Sequence, residues 1–326
     1  MKQFQYVRPA SQKAVLDAIN KPGTKILAGG SNLVDLMKRG VMTPDKLVDI
    51  QRLPLKDINT HAGGVSIGAL VLNSQAAEDQ TIKQSYPLLA MAINAGASAQ
   101  LRNMATVGGN MMQRTRCPYF YDVTMPCNKR EPGTGCSAIG GINRMHAIFG
   151  TSDKCIAVNP SDMSVGLVAL DATVVVASNK GERRIRFVDF HRLPGQTPQL
   201  DNNLGHDELI VRVEIPQNNF AQNSYYLKIR DRASYAFALV SVAAALHIEN
   251  GTIKEARLAM GGVAHKPWRL YEAEKSLIGK PANEASFQQA AAIAMHGAKA
   301  YEYNAFKLKM APAAINEALK NAAHLA

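Results

Sequence analysis

Long apolar runs are missing from this 326-residue chain. The longest, ASYAFALVSVAAAL at 233–246, is interrupted by serines and a tyrosine; it falls short of the ~18 apolar residues that a membrane span needs and reads as a buried strand or helix. The start, MKQFQYVRPASQKAV, has no apolar h-region and no twin arginine. No export signal of its own is therefore expected, and export to a periplasm would need a partner. Aromatic residues are scarce at 6%, and the basic residues behind the net charge of +11 form no block and no alternation with aromatics. A stacking platform for single-stranded nucleic acid is thus disfavoured, and a solvated face or an acidic partner subunit is the simpler reading. Internal repeats and low-complexity segments are absent as well. What remains is an ordinary globular composition, 47% hydrophobic and 19% charged, on a chain long enough for two or three domains with ample core.

Cysteine is scarce too, but its four copies are concentrated. Cys117, Cys127, Cys136 and Cys155 lie within 39 residues, in a segment rich in turns that begins RTRCPYFYDVTMPCNKREPGTGC. Zinc ribbons and knuckles present cysteines as tight two-residue-spaced pairs, whereas the gaps here are nine, eight and eighteen residues. Two disulfides fit the count but belong to small secreted domains that lack a core. Irregular spacing suits an iron–sulfur cluster, which accepts four soft ligands from whatever loops deliver them. Zinc, disulfides and four unrelated buried thiols stay open on spacing alone. Cys155 is the most distant of the four, and His146 and Asp153 lie in the gap before it as substitute ligands. The nearby Lys129, Arg130 and Arg144 keep a rival in view, a stand-alone basic metal-binding protein that contacts nucleic acid through this loop.

Two glycine turns carry the second signal. In LAGGSNLVDLMKRG at 27–40 a short strand runs into Gly29 and Gly30 and then a helix, with Ser31 as the expected N-cap and Leu33, Val34, Leu36 and Met37 as the apolar face. Converging backbone N–H groups at such a turn suit a phosphate. Neither G-x-G-x-x-G nor the Walker lysine pattern is present, so a Rossmann site or a P-loop is not indicated. The second turn, ATVGGNM at 105–111, sets Thr106 and Asn110 around Gly108 and Gly109, after an apolar stretch at 86–103 that reads as a helix. Two such turns, with Pro160, Ser161 and Asp162 following the cysteines, suit a dinucleotide diphosphate and its ribose.

The ordered set LAGGSNLVDLMK, QLRNMATVGGN, PSDM, DELIVRVEIP and KIRDRASYAFALVSVAA closely resembles the FAD-binding subunits of molybdenum hydroxylases, the xanthine dehydrogenase, carbon monoxide dehydrogenase and aldehyde oxidoreductase group. The match spans residues 1 to about 270. Within it, RTRCPYFYD and PCNKR have the character of the bacterial periplasmic aldehyde oxidoreductase members, whose insertion houses a [4Fe–4S] cluster. The resemblance implies that Leu27, Ala28, Gly29, Gly30, Ser31, Asn32, Leu33 and Val34 cradle the FAD pyrophosphate. Thr106, Gly109 and Asn110 would form the second phosphate-side turn, and Asp162 would bond the ribose or adenine side. Ile210 would pack on the isoalloxazine face, and Lys228 would approach the flavin edge, where a cation stabilises charge that develops on reduction. Cys117, Cys127, Cys136 and Cys155 would be the cluster ligands.

The same resemblance implies an α+β fold. An FAD-binding domain of two subdomains, of the PCMH or vanillyl-alcohol-oxidase type, would occupy 1–217 with the iron–sulfur insertion at about 112–158. A C-terminal domain at 218–326 would carry a three-stranded antiparallel sheet and helices, the break falling in the Asn-rich EIPQNNFAQNSYY. The alanine-rich tail reads as helical, with Pro312 tolerated in a first turn. Functionally the chain would be the electron outlet of a heterotrimer, with a small [2Fe–2S] subunit delivering electrons and a large molybdenum-cofactor subunit oxidising an aldehyde or purine. A flavin oxidase acting alone, of the berberine-bridge or cholesterol-oxidase type, is the enzymatic rival, and the resemblance does not favour it.

Overall fold

The computed structural model describes residues 1–325. Three strands, β1 (Gln5–Val7), β2 (Thr24–Leu27) and β3 (Lys46–Asp49), form a parallel sheet in the order β1-β3-β2. Parallel neighbours need crossovers, supplied here by the helices Gln12–Ile19 and Leu33–Lys38. The first is capped by Ser11, whose Oγ accepts from the amide of Ala14 at 3.2 Å.

Five further strands, β4 (Ile58–His61), β5 (Gly64–Gly68), β6 (Thr173–Ser178), β7 (Gly181–Arg186) and β8 (Leu209–Pro216), make an antiparallel sheet in the order β4-β5-β8-β6-β7. Val174 and Val176 of β6 face one core and Val175 the other, which is why this strand reads as a continuous apolar run. The sheet is therefore the wall between two apolar layers. One layer, with Val15, Leu16, Val48 and Ile50, is shared with the parallel sheet. The other is shared with the helices Pro87–Ala95 and Asp162–Ala169.

The last sheet is antiparallel, with β9 (Ser224–Ile229), β10 (Val240–Glu249), β11 (Thr252–Gly261) and β12 (Trp268–Arg269) in the order β12-β11-β10-β9. Three long strands meet the expectation for this region, and the two-residue β12 adds an edge. Asn250 and Gly251, with φ +50 and +73, close the β10–β11 hairpin, since a tight turn of this hand needs two positive φ values. Helices Tyr271–Leu277, Glu284–Ala294 and Lys307–Ala322 bury their alanines on this sheet. Pro312, expected in a first turn, is the sixth residue of Lys307–Ala322 and lies inside the helix. Every residue of Asp162–Ala169 is buried, because this helix packs against Pro87–Ala95 on one side and β10 and β11 on the other. It joins the two halves of the molecule and carries Asp162 at its first position. Among the described residues no helix is long and apolar enough to cross a membrane.

Candidate flavin and cysteine sites

The two glycine turns lie against each other. A Cβ on Gly29 would stand 1.9 Å from the carbonyl oxygen of Met104, and Gly30 holds φ +71, so both positions exclude a larger residue for separate reasons. Residues 27–34 remain half-buried or exposed, which leaves the turn open to a ligand. Ser31 does not cap the helix that follows. Asn32 occupies that position without a side-chain cap bond, because its Oδ1 accepts instead from the amide of Arg114 at 2.9 Å.

In the second turn Thr106 is the N-cap of the helix Val107–Met111, its Oγ1 accepting from the Gly109 amide at 3.1 Å. Gly108 is buried and donates to the carbonyl of Ala69 at 2.8 Å, while Gly109 is exposed. The stretch before it is not one helix to 103: Pro87–Ala95 ends at Gly96, Ala97 takes φ +52, and Ala99–Arg102 is a separate turn.

A chain of hydrogen bonds runs from this turn into the centre of the molecule. Asn110 Oδ1 accepts from Ser161 Oγ at 2.6 Å. The neighbouring Asp162 accepts from the Tyr226 hydroxyl and from Lys228 Nζ, each at 2.8 Å. Lys228 also donates to the carbonyl of Ala95 at 3.0 Å, and its side chain is only 4% exposed, so it is not a solvent-facing strand lysine. Burial and the Asp162 carboxylate both push the Tyr226 hydroxyl well above its ordinary pKa. Ser161 and Asp162 line a cleft of about 100 Å³, with Arg116, Phe237, Gly261 and Gly262 across from them. The Arg116 guanidinium stacks over Phe237, 5.3 Å from its ring centre. Nothing in the sequence singles out Arg116, Phe237 or Tyr226; RTRC and YAFAL contain two of them, but no spacing rule distinguishes them there. Ile210 stands apart: it is 5% exposed, in the core formed with Val174 and Val213, and does not line this cleft.

The four cysteines, by contrast, do come together. Cys117, Cys127, Cys136 and Cys155 all line one small cavity. The loop geometry explains the eight-residue gap: Asn128 Oδ1 accepts from the amides of Gly133 and Gly135 at 3.0 and 2.9 Å, and both glycines hold positive φ. That loop closes so that Cys127 and Cys136 pair as antiparallel neighbours. Cys155 is buried beside them and donates to Cys136, which lowers the pKa of Cys136 and raises that of Cys155. Burial pushes the Cys117 thiol up to about 12, against amide donors at Phe120 and Tyr119. Asp153 is exposed and pairs with Lys154 at 3.1 Å. His146 lines the neighbouring cleft, with Nε2 3.1 Å from Cys117 Sγ. Among the described residues no three His, Cys, Asp or Glu side chains meet as a shell for a single metal ion; the sulfurs line the wall of the cavity instead.

The basic residues beside them are committed to partners. Lys129 is buried and bonded to Asp201 and to the carbonyl of Pro198, Arg130 donates to the carbonyls of Tyr119 and Phe120, and Arg144 grips Asp231 at 2.7 and 2.8 Å. They do not form a free patch for nucleic acid.

Residues 2–218 match the family described as the FAD binding domain in molybdopterin dehydrogenase, and residues 225–320 match the CO dehydrogenase flavoprotein C-terminal domain. The chain belongs to the FAD-binding subunits of the molybdenum hydroxylases, and it is an oxidoreductase subunit. Its relatives include the aldehyde oxidoreductase FAD-binding subunit PaoB of Escherichia coli strain K12, 49% identical over 282 residues, which is 85% of this chain and 86% of that one. The glyceraldehyde dehydrogenase medium chain of Sulfolobus acidocaldarius is 32% identical over 284 residues, covering 86% and 83%. The solved quinoline 2-oxidoreductase from Pseudomonas putida 86 superposes with a TM-score of 0.77 over 99% of each chain, at 26% identity. These relatives are subunits of oxidoreductases, so the nucleic-acid alternative is set aside.

Proposed function

We propose that this chain is the flavin-bearing electron outlet of a heterotrimeric molybdenum-dependent aldehyde oxidoreductase. Its partners would be a small subunit with [2Fe–2S] centres and a large subunit with the molybdenum cofactor, where the aldehyde is oxidised. The aldehyde class is supported by the names of two relatives above 30% identity. FAD, when bound, supplies the ability to take electrons singly and release them as a pair. The chain's own residues hold and insulate it. The Leu27–Val34 turn would hold the diphosphate; in the Thr106–Asn110 turn the amides of Val107, Gly108, Gly109 and Asn110 already bond to Val71, Ala69 and Thr106, so that turn would contribute side chains and close approach at the exposed Gly109. Asp162, already bonded to Tyr226 and Lys228, would accept further from sugar hydroxyls, with the buried Lys228 ammonium beside it.

Cys117, Cys127, Cys136 and Cys155 are the proposed ligands of a [4Fe–4S] cluster. The observation that carries this is the convergence of all four cysteines on one cavity. Zinc needs four ligands within about 2.3 Å of one point, whereas a cluster takes each thiolate on a different iron. Anaerobic purification followed by an absorption spectrum, with iron, sulfide and FAD measured on one sample, tests the reading. Flavin bands over a broad iron–sulfur shoulder, with about four irons and one FAD per chain, support it. FAD without iron and sulfide would remove the cluster, and a colourless zinc protein would remove both.

A further inference from the structure

A chain of charged side chains lies next to the cysteine cavity. Lys129 follows Cys127 by two residues, lines the cavity, and has a side chain only 1% exposed. Its ammonium donates to the carbonyl of Pro198 at 2.8 Å and to Oδ1 of Asp201. The other carboxylate oxygen of Asp201 accepts from Nε of Arg114 at 2.6 Å. Two cations thus share one carboxylate, and among the described residues neither pairs with a second. The group carries one net positive charge, and no carboxylate lines the cavity to oppose it. A buried net charge is costly unless something of opposite sign faces it. Four thiolates around an iron–sulfur core would be that something.

We propose that the Arg114–Asp201–Lys129 triad is the fixed counter-charge of the four-cysteine site, with Lys129 as the residue that raises the reduction potential of the cluster and Asp201 as the residue that positions it. This rests on the cluster reading given above. Reduction would add one electron to a group already negative, and no carboxyl or imidazole group lines the cavity to take up a proton with it; a nearby cation therefore favours the reduced form. Asp201 lies between the helix Phe187–Phe190 and β8, 72 residues along the chain from Lys129, so the tertiary fold sets where that charge sits.

The experiment is a potentiometric titration of the full complex with dithionite as reductant, the cluster followed by low-temperature electron paramagnetic resonance. Lys129→Met is expected to lower the midpoint, by about tenfold in the reduction equilibrium, ~59 mV for one electron. Lys129→Arg is expected to stay near the parent value. Asp201→Asn removes the negative member and is expected to move the midpoint the opposite way. A purely structural triad would predict loss of iron in both K129M and D201N with no opposed shift, and either that result or equal midpoints overturns the proposal. Should K129M fail to retain iron, the sign of the D201N shift decides alone. A parent complex without iron and sulfide would instead overturn the cluster reading itself.

Discussion

Gly29 rests its α-carbon against the backbone carbonyl of Met104, so that the two glycine turns, 75 residues apart, form one surface. A methyl group there meets backbone at 1.9 Å, which no side-chain rotation relieves. Gly29→Ala should therefore push the turns apart, at a cost of roughly 1–3 kcal/mol as overpacking usually costs. It should also lower the FAD content of the purified chain. Thermal unfolding with and without added FAD checks this: an unchanged midpoint and full flavin content would show that the contact carries no energy.

Asp162 and Lys228 form a buried ion pair, 6% and 4% exposed, across the joint between the two halves. Removing one partner strands the other, which costs about 3–5 kcal/mol in buried pairs. Asp162→Asn and Lys228→Met should each destabilise strongly, and the double variant should recover part of the loss. A double-mutant cycle by denaturant unfolding measures the coupling. Additive effects would mean that the pair does not act as a unit.

Much of this was readable in the chain because it is local. Thr106 beside two glycines reads as a turn, and it caps a helix there; the clustered cysteines read as one group, and they share one cavity. What escaped was non-local. Ser31 has the better side chain for a cap, yet Asn32 takes the position because Arg114, 82 residues away, needs its oxygen. The helix expected at 86–103 breaks at Gly96 because the Arg102 guanidinium is satisfied by the carbonyls of Asn94 and Gly96, which folds the chain back. Asp201 sits in a polar loop with no motif, and only the fold brings it between Arg114 and Lys129.

Acid should weaken the protein through three buried histidines, of which His146, lowered to about 4, touches the cysteine set and His191 and His265 do not. Burial lowers the pKa of His191 to about 4 and that of His265 to about 3. The fold therefore keeps both neutral while the unfolded chain, near 6.5, takes up protons. Stability is complete above that value and is lost as pH falls from about 6.5 toward 4, with a slope of up to about 2.7 kcal/mol per pH unit for two groups. Asp201, held down at about 2 against its burial by Lys129 and Arg114, adds its own loss only below about pH 4. Urea midpoints at pH 7 and pH 5 should differ clearly in the parent and much less in a His191→Gln, His265→Gln double variant. Equal differences in both would assign the acid effect elsewhere.

The ligand set makes the sharpest prediction, because Cys155 and His146 compete for the fourth place and the structure treats them differently. Cys155 lines the cavity with the other three sulfurs, whereas His146 lines the neighbouring cleft and touches the set only through Cys117. Cys155→Ser should therefore strip iron and sulfide from the purified complex. His146→Gln should keep the full iron content while weakening retention against a chelator, on the order of 10–100-fold, as loss of an outer hydrogen bond does. Iron and sulfide analysis of both variants, with the rate of bleaching by a chelator, separates the roles. If Cys155→Ser keeps four irons and His146→Gln loses them, the histidine is the ligand, and the hydrogen bond read at Cys117 is instead the edge of a mixed cysteine–histidine site.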